Sequence, residues 1–472
     1  MSHEKVEGLQ GDSQMKTSKR FRVNYIAFAV PLILAFLSWL YFPTIAQWII
    51  TTLFNYTPAQ QTATPIWYLI IRFFYSWYTL VAIGIAGIWI VAATFARNQC
   101  VEHKHTFYPM VSFVVPAYNQ EKNVTRCITS LFKCAEKYDG NCEIIVIDDG
   151  SKDYTYEFAW SAVENGRRVN PRFHAKVVRH SANLGKIEAL RTGINRVLGG
   201  LVAIVDADSE WSPETLTKLV DYKMSNGKRA VTGYVHPNGE GSEKKLLVTL
   251  QRLEYSQGLS VGRCAQSLGN NVLVISGAIG VYDADLLREV LIERNICSVT
   301  EDLEITLEMH KKDAQVGYLS AVQSTTVAPI KLSALWHQRL RWFTGWLNNT
   351  LGIHRDLMTK RSWLMALLWY CYIFEYGGAF VDLASVTAFP FLWWFAPDPL
   401  LFGLNLLVFL PYGLLIGLIS QALALKFAYG SYQYGVLLFY TPLYPLLRLV
   451  NVFARSRSAI SYLTGNNGTW HT

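Results

Sequence analysis

Residues 143–151 read Glu-Ile-Ile-Val-Ile-Asp-Asp-Gly-Ser. Four consecutive apolar, mostly β-branched residues form a short buried strand, and its carboxyl end delivers two carboxylates and a Gly-Ser turn. Taken alone, the acidic end is equally a polar turn, because Asp and Gly are turn formers. Further along, Leu201-Val-Ala-Ile-Val-Asp-Ala-Asp208 repeats the design. Short runs of the same kind occur at Val111–Val115, Lys176–Arg179, Ala230–Thr232 and Gly317–Ser320, with amphipathic stretches between them. This alternation predicts an α/β domain with a mostly parallel sheet, whose ligands bind at the carboxyl ends of the strands.

Outward from that block the texture changes. Val23 to Phe42 carry no charge and are long enough to span ~30 Å of hydrocarbon. Lys16, Lys19, Arg20 and Arg22 precede them, and the apolar core is too long for a cleaved signal, so an uncleaved anchor is expected. A second span is expected over Phe73–Phe95, ended by Arg97. The basic flanks place the N-terminus and everything just after Arg97 in the cytosol. Residues 331–361, rich in Trp and Arg, suit helices lying in the membrane interface. Two more spans are expected near Trp363–Leu392 and Leu400–Leu425. Phe427–Leu447 is apolar but holds Pro442 and Pro445 and meets Arg448, Arg455 and Arg457, so two short helices or a re-entrant segment fit it better than a simple span. The expected organisation is a polar cytosolic tail (1–22), two spans (23–96), the α/β domain (97–330), interfacial helices (331–361), a C-terminal membrane region (362–455) and a cytosolic tail (456–472).

Composition agrees with that division. Apolar residues make up 51% of the 472, charged residues 17%, and there are 15 Trp and 26 Tyr, an aromatic excess suited to bilayer interfaces. The net charge of +8 sits mainly beside apolar segments, which points to anionic lipid headgroups and a nucleotide diphosphate and away from nucleic acid. The seven cysteines contain no C-x-x-C pair and read as small buried hydrophobes. His103 and His105 read as a juxtamembrane polar cluster.

Four constellations carry chemistry. Asp148–Asp149 end the first strand quoted. Asp206 and Asp208, one residue apart at a strand end, have the spacing to share a divalent cation, Mg²⁺ or Mn²⁺, although such a triplet is also a common turn. Thr300–Glu301–Asp302 opens a helical stretch, either as an N-cap with acids suited to the helix dipole or as the source of a general base. Gln338–Arg339–Leu340–Arg341–Trp342 offers guanidinium groups for a diphosphate and an indole face for a sugar, on a helix that also suits a membrane interface.

In order, the chain reads Pro116-Ala-Tyr-Asn, Asp148-Asp-Gly-Ser, Asn183-Leu-Gly-Lys, Asp206-Ala-Asp, Ser276-Gly, Thr300-Glu-Asp and Gln338-x-x-Arg-Trp. Seven elements in this order between membrane blocks resemble the inverting, processive membrane glycosyltransferases, which include cellulose, chitin, hyaluronan and poly-N-acetylglucosamine synthases. The Thr-Glu-Asp form and the layout of spans look most like the bacterial poly-β-1,6-N-acetylglucosamine synthases. The resemblance implies a GT-A-like nucleotide-sugar domain, a UDP-sugar donor, a polysaccharide acceptor, a Mg²⁺ or Mn²⁺ cofactor and membrane lipids as surroundings. It also admits a small accessory membrane subunit. By position it assigns Ala117, Tyr118 and Asp149 to the uridine and Lys186 to the phosphates. Asp206 serves donor and metal, Asp208 the metal, and Asp302 is the general base. Gln338 and Arg341 hold the pyrophosphate, Trp342 the acceptor sugar, and Ser276 and Gly277 line the acceptor side. The family often has Asn-Glu where this chain has Asn119-Gln120-Glu121, which weakens any role for Glu121.

Beyond the domain, Glu375 and Asp382 lie seven apart on one face of an expected span and read as lining a polar channel or as pairing with another helix. Two rival classes are a non-processive enzyme glycosylating a membrane lipid and a transporter or scaffold without catalysis. Gln338-x-x-Arg-Trp argues against the first, and the three acidic clusters against the second.

Overall fold

A computed structural model describes residues 25–56, 66, 69, 84–97, 105, 107–170, 173–242, 245–294, 296–396, 398–429 and 435–465. Its centre is one eight-stranded mixed sheet. The strands are β1 (Val111–Ala117), β2 (Cys142–Asp148), β3 (His174–Arg179), β4 (Leu201–Ile204), β5 (Ser209–Trp211), β6 (Ala230–Asn238), β7 (Gly280–Asp283) and β8 (Val316–Val327). Their order is β3-β2-β1-β4-β7-β6-β8-β5. Pairs β1/β2, β1/β4, β2/β3 and β6/β8 are parallel, and β7 runs antiparallel between β4 and β6. All seven residues of β1 and of β2 are buried, as expected of central parallel strands covered on both faces. Edge strand β3 keeps Lys176 and Arg179 on its rim, charges that blunt further pairing.

All six strands expected from the sequence are present. Two were not foreseen, β5 (Ser-Glu-Trp) and β7 (Gly-Val-Tyr-Asp), because three or four residues with polar ends carry no period. Both matter to the site. β5 pairs antiparallel with the end of β8, Ser209 opposite Thr326, and so pins the segment directly after Asp208.

On the membrane side, the first helix runs Tyr25–Leu53, eleven residues past the expected end at Phe42 and through Pro43. A proline inside an apolar helix removes one backbone bond without ending the helix where neighbours support it. Of the second expected span, the described part is the apolar helix Gly84–Arg97; residues 73–83 and the polar tail 1–22 lie outside the described residues. Among the described residues, three helices are long and apolar enough to cross a membrane: Trp363–Ala384, Pro399–Tyr429 and Gly435–Leu463. The last is a 3₁₀ piece, Gly435–Leu443, followed by an α-helix, Tyr444–Leu463, with Pro445 in its first turn. Together they form one candidate span of 29 residues, whereas the sequence suggested two short helices or a re-entrant segment over Phe427–Leu447.

Glu375 and Asp382 both pair with arginines of that last helix. Arg455 Nη2 donates to Glu375 Oε2 at 2.8 Å, and Arg448 Nη2 to Asp382 Oδ2 at 2.7 Å. The acids are seven apart on one helix and the arginines seven apart on the other, in reverse order, as antiparallel neighbours require. Five of the six described cysteines are buried, and Cys297 is exposed.

Candidate active site

Adjacent parallel strands bring the acidic clusters to one edge. Ala117, at the end of β1, lies opposite Asp148 of β2, and β4 on the other side of β1 leads into Asp206. Asp149 N–H donates to Ala117 O at 2.8 Å, closing the first two loops together. Asn119, with φ +52°, extends this join. Its N–H donates to Ser151 Oγ at 2.9 Å, and its side-chain oxygen accepts from Lys152 N–H at 3.0 Å. Glu121 Oε2 accepts from Tyr154 N–H at 3.3 Å, a loop-fastening contact. Tyr118 stands half-buried at the edge of this platform.

Asp149 is buried and fully engaged. It accepts from the N–H groups of Leu184 (3.0 Å) and Gly185 (2.8 Å), and His180 Nδ1 lies 2.7 Å from its Oδ1. His180 Nε2 in turn lies 3.0 Å from Thr192 Oγ1. Gly150, with φ +68°, lets the 182–183 backbone pass where any side chain would collide. Asp149 therefore fixes the loop that leads to Lys186. His180, which no local sequence pattern marks, is part of that support.

Lys186 ties the second acidic cluster to the third. Its Nζ lies 2.6 Å from Asp206 Oδ1 and 2.6 Å from Glu301 Oε1. Burial opposes the charge on Lys186, but the two carboxylates outweigh it and hold its pKa well above the usual lysine range. Gly277 explains how these groups can sit so close. Its carbonyl accepts from Asp206 N–H at 3.0 Å, and a Cβ there would fall 2.8 Å from Asp206 Oδ2 and 3.0 Å from Lys186 Nζ. The Ser276-Gly277 pair thus abuts Asp206, with Ser276 half-buried beside it.

Asp208 is held by Ser209 Oγ at 3.2 Å and Thr326 Oγ1 at 3.3 Å, both donating to its Oδ1. Burial, then the neighbouring Asp206 charge, pushes its carboxyl up to about 6. Asp302 stands in the first turn of the Glu301–Lys311 helix, with its Oδ1 accepting from Leu303 N–H at 2.8 Å. Burial, then Glu301, pushes it up to about 6 as well. Thr300 occupies the N-cap position, but its hydroxyl does not cap. Instead it accepts from Asn349 Nδ2 at 3.0 Å, in the π-helical turn that continues the Leu332–Leu347 helix.

That helix carries the remaining motif. Gln338 faces Asp208 across a cavity of about 360 Å³, lined also by Gln120, Asn123, Pro329 and Lys331. Its Oε1 is buried and has no hydrogen-bond partner among the described residues. Trp342 is half-buried, with the Arg339 guanidinium carbon 4.4 Å from its ring centroid. Arg341 is exposed and forms no ion pair among the described residues. The structure thus gathers Ala117, Asp149, Lys186, Asp206, Asp208, Gly277 and Asp302 around one edge and brings Gln338 over it. Glu301 and Arg339 lay inside recognised motifs, but their partners are remote in sequence.

Chemically, the edge offers a raised carboxylate able to take a proton and a paired carboxylate beside a lysine, under a roof with an orphan acceptor. Residues 112–291 match the Glycosyl transferase family 2 model. The chain is 27% identical over 252 residues to a poly-beta-1,6-N-acetyl-D-glucosamine synthase of Staphylococcus epidermidis, covering 53% of this chain and 58% of that protein. It is 28% identical over 242 residues to an N-acetylglucosaminyltransferase of Azorhizobium caulinodans, covering 50% and 59%. Both matches thus span under two thirds of the relative's own length. A mannosyltransferase from Pyrobaculum calidifontis, solved with GDP-Man and Mn²⁺, shares the fold at TM-score 0.51 and 17% identity, covering 85% of this chain and 99% of that one. The mixed, mostly parallel sheet with its acidic carboxyl edge is accordingly GT-A-like, and the chain carries a glycosyltransferase family 2 domain.

Proposed function

We propose that the chain is a processive, inverting synthase that moves N-acetylglucosamine from UDP-N-acetylglucosamine to the end of a β-linked polysaccharide and passes the polymer into the membrane. The observation that carries this reading is the shared cavity, lined by Asp208 of the sheet edge and Gln338 of the roof helix. In it the Gln338 amide N–H is a donor for a diphosphate, and Asp208 an oxygen ligand for the cation that would accompany it. The printed names of the two relatives, both N-acetylglucosamine enzymes, support the sugar. The long apolar helices support placement in the plasma membrane, several times crossed, with the α/β domain on the cytosolic side.

Each residue has a role in one displacement. Ala117 and Tyr118 form the platform for the uridine, and Asp149 keeps the adjoining loop in place. Lys186 and Gln338 hold the diphosphate, and Arg341 closes over it once the donor is bound. Trp342 seats the terminal sugar of the acceptor, with Ser276 and Gly277 at its side. Asp302 takes the proton of the acceptor hydroxyl. That oxygen forms the new bond at the anomeric carbon as the bond to the diphosphate breaks and UDP leaves, so the anomeric configuration inverts. Asp206 and Asp208 fit a hard divalent cation, Mg²⁺ or Mn²⁺: Asp206 already shares Lys186 with Glu301, Asp208 has no ion-pair partner among the described residues, and burial with the neighbouring Asp206 charge raises the Asp208 carboxyl. Such a cation would neutralise charge on the leaving diphosphate.

The test is UDP release by membrane-reconstituted protein. The donors UDP-N-acetylglucosamine, UDP-glucose and UDP-glucuronate are offered separately with Mg²⁺ or Mn²⁺, and products are sized on a gel. High-molecular-weight product from UDP-N-acetylglucosamine alone is expected. Turnover yielding only short or lipid-linked product would replace the processive reading with single transfer to a lipid.

A further inference from the structure

Glu254, next to last in the Leu246–Tyr255 helix and far in sequence from every motif, stands half-buried at the centre of a polar chain. Its two carboxylate oxygens serve different partners. Oε2 accepts from Arg339 Nη2 at 2.6 Å, and Oε1 accepts from Asn451 Nδ2 at 2.6 Å. The Arg339 side chain is 4% exposed, and Glu254 is its ion-pair partner among the described residues. The guanidinium then lies on the Trp342 ring, and Tyr255, the neighbour of Glu254, packs 6.5 Å from the same indole. A connected path therefore runs from the Tyr444–Leu463 helix through Asn451, Glu254 and Arg339 to Trp342.

We propose that Glu254 is a positioning residue for the acceptor seat: by holding Arg339 against one face of Trp342, it decides which face of the indole is left for the sugar. This rests on the reading of Trp342 as that seat. A buried guanidinium without a counter-charge is strongly disfavoured, so Glu254 fixes where Arg339 can stay. A guanidinium stacked on an indole in turn restricts the ring's rotation. Asn451 occupies the second carboxylate oxygen and keeps Glu254 from swinging away. The terminal helix thereby becomes part of the acceptor site without touching the sugar.

The test compares Glu254→Gln, Glu254→Asp, Trp342→Ala and the double variant Glu254→Gln/Arg339→Met in the full reconstituted chain. Donor KM, UDP release and product length are measured together. For Glu254→Gln, donor KM should stay within about twofold while polymer formed per UDP released falls about tenfold, the pattern of a lost acceptor interaction. Trp342→Ala should show the same split, and Glu254→Asp, which keeps the charge, should recover most of the length. The double variant leaves no buried charge unpaired, so it should accumulate even if Glu254→Gln does not, and it should still make short product. Normal product length from Glu254→Gln or the double variant, with short product from Trp342→Ala, would overturn the role of Glu254. Normal length from Trp342→Ala would instead overturn the acceptor seat itself.

Discussion

The sheet edge and the C-terminal helices treat charge in opposite ways. Among these helices each acid discussed meets its own arginine, Glu375 with Arg455 and Asp382 with Arg448, as Glu254 does with Arg339 on the helices beside them. At the edge, Asp206 and Glu301 divide one lysine between them, and Asp208 and Asp302 have no ion-pair partner among the described residues. The consequence shows in their protonation: burial and like charge push both Asp208 and Asp302 up to about 6. Paired charge in an apolar setting fixes helices relative to one another, while uncompensated charge keeps a site ready for a cation or a proton.

The largest break in this contrast should come from Asp302→Asn. It keeps the shape of the edge and removes the proton acceptor, so kcat should fall by about 10²–10⁴ with donor affinity nearly unchanged, as followed by UDP release and donor titration. The pH profile sharpens the same point. A carboxyl raised to about 6 is protonated below that pH, so the wild-type rate should decline as pH falls through about 6. A near-normal rate from the variant would remove Asp302 from the chemistry.

Next in size is Asp208→Ala. If Asp206 and Asp208 hold the cation together, donor binding measured with Mn²⁺ should weaken about tenfold or more, toward the value seen without metal. Equal affinity with and without Mn²⁺ in the wild type would end that assignment.

The smallest effect should come from the paired region. Asp382→Asn leaves Arg448 without its acid and should lower the melting temperature in nanodiscs by ~2–5 °C, with kcat within about twofold. A large kcat loss at unchanged melting temperature would mean that this pair serves the polymer path directly and is not simply a clasp between helices.

Legibility in the sequence follows the same boundary. β2 and β4 are apolar runs ended by carboxylates, so both strands and their acids could be placed from local pattern alone, and β1 could be placed as an apolar run. β5 could not, because its three residues gain their identity only from pairing with β8. The roles of Asp149 and Gly277 were legible as positions but not as geometry: one anchors a loop through two backbone N–H groups, the other makes room for a lysine. Arg339 and Glu254 stand 85 positions apart, and no periodicity links them. The seven-residue spacing of Glu375 and Asp382 was visible, but the matching spacing of Arg455 and Arg448 acquires meaning only once the two helices lie antiparallel.

Gly345 has a consequence of its own. The Leu332–Leu347 helix comes so near the Thr300 side chain that a methyl group at 345 would overlap it, and Asn349 bonds the same hydroxyl one turn on. The strip bearing Gln338 and Trp342 is thereby packed closely against Thr300, at the start of the helix bearing Asp302. On the roles proposed for Trp342 and Asp302, the spacing between sugar seat and proton acceptor would then work as a fixed gauge. If the chain is processive as proposed, advancing by one sugar would fall to the product sliding through the gauge, not to the jaws shifting against each other.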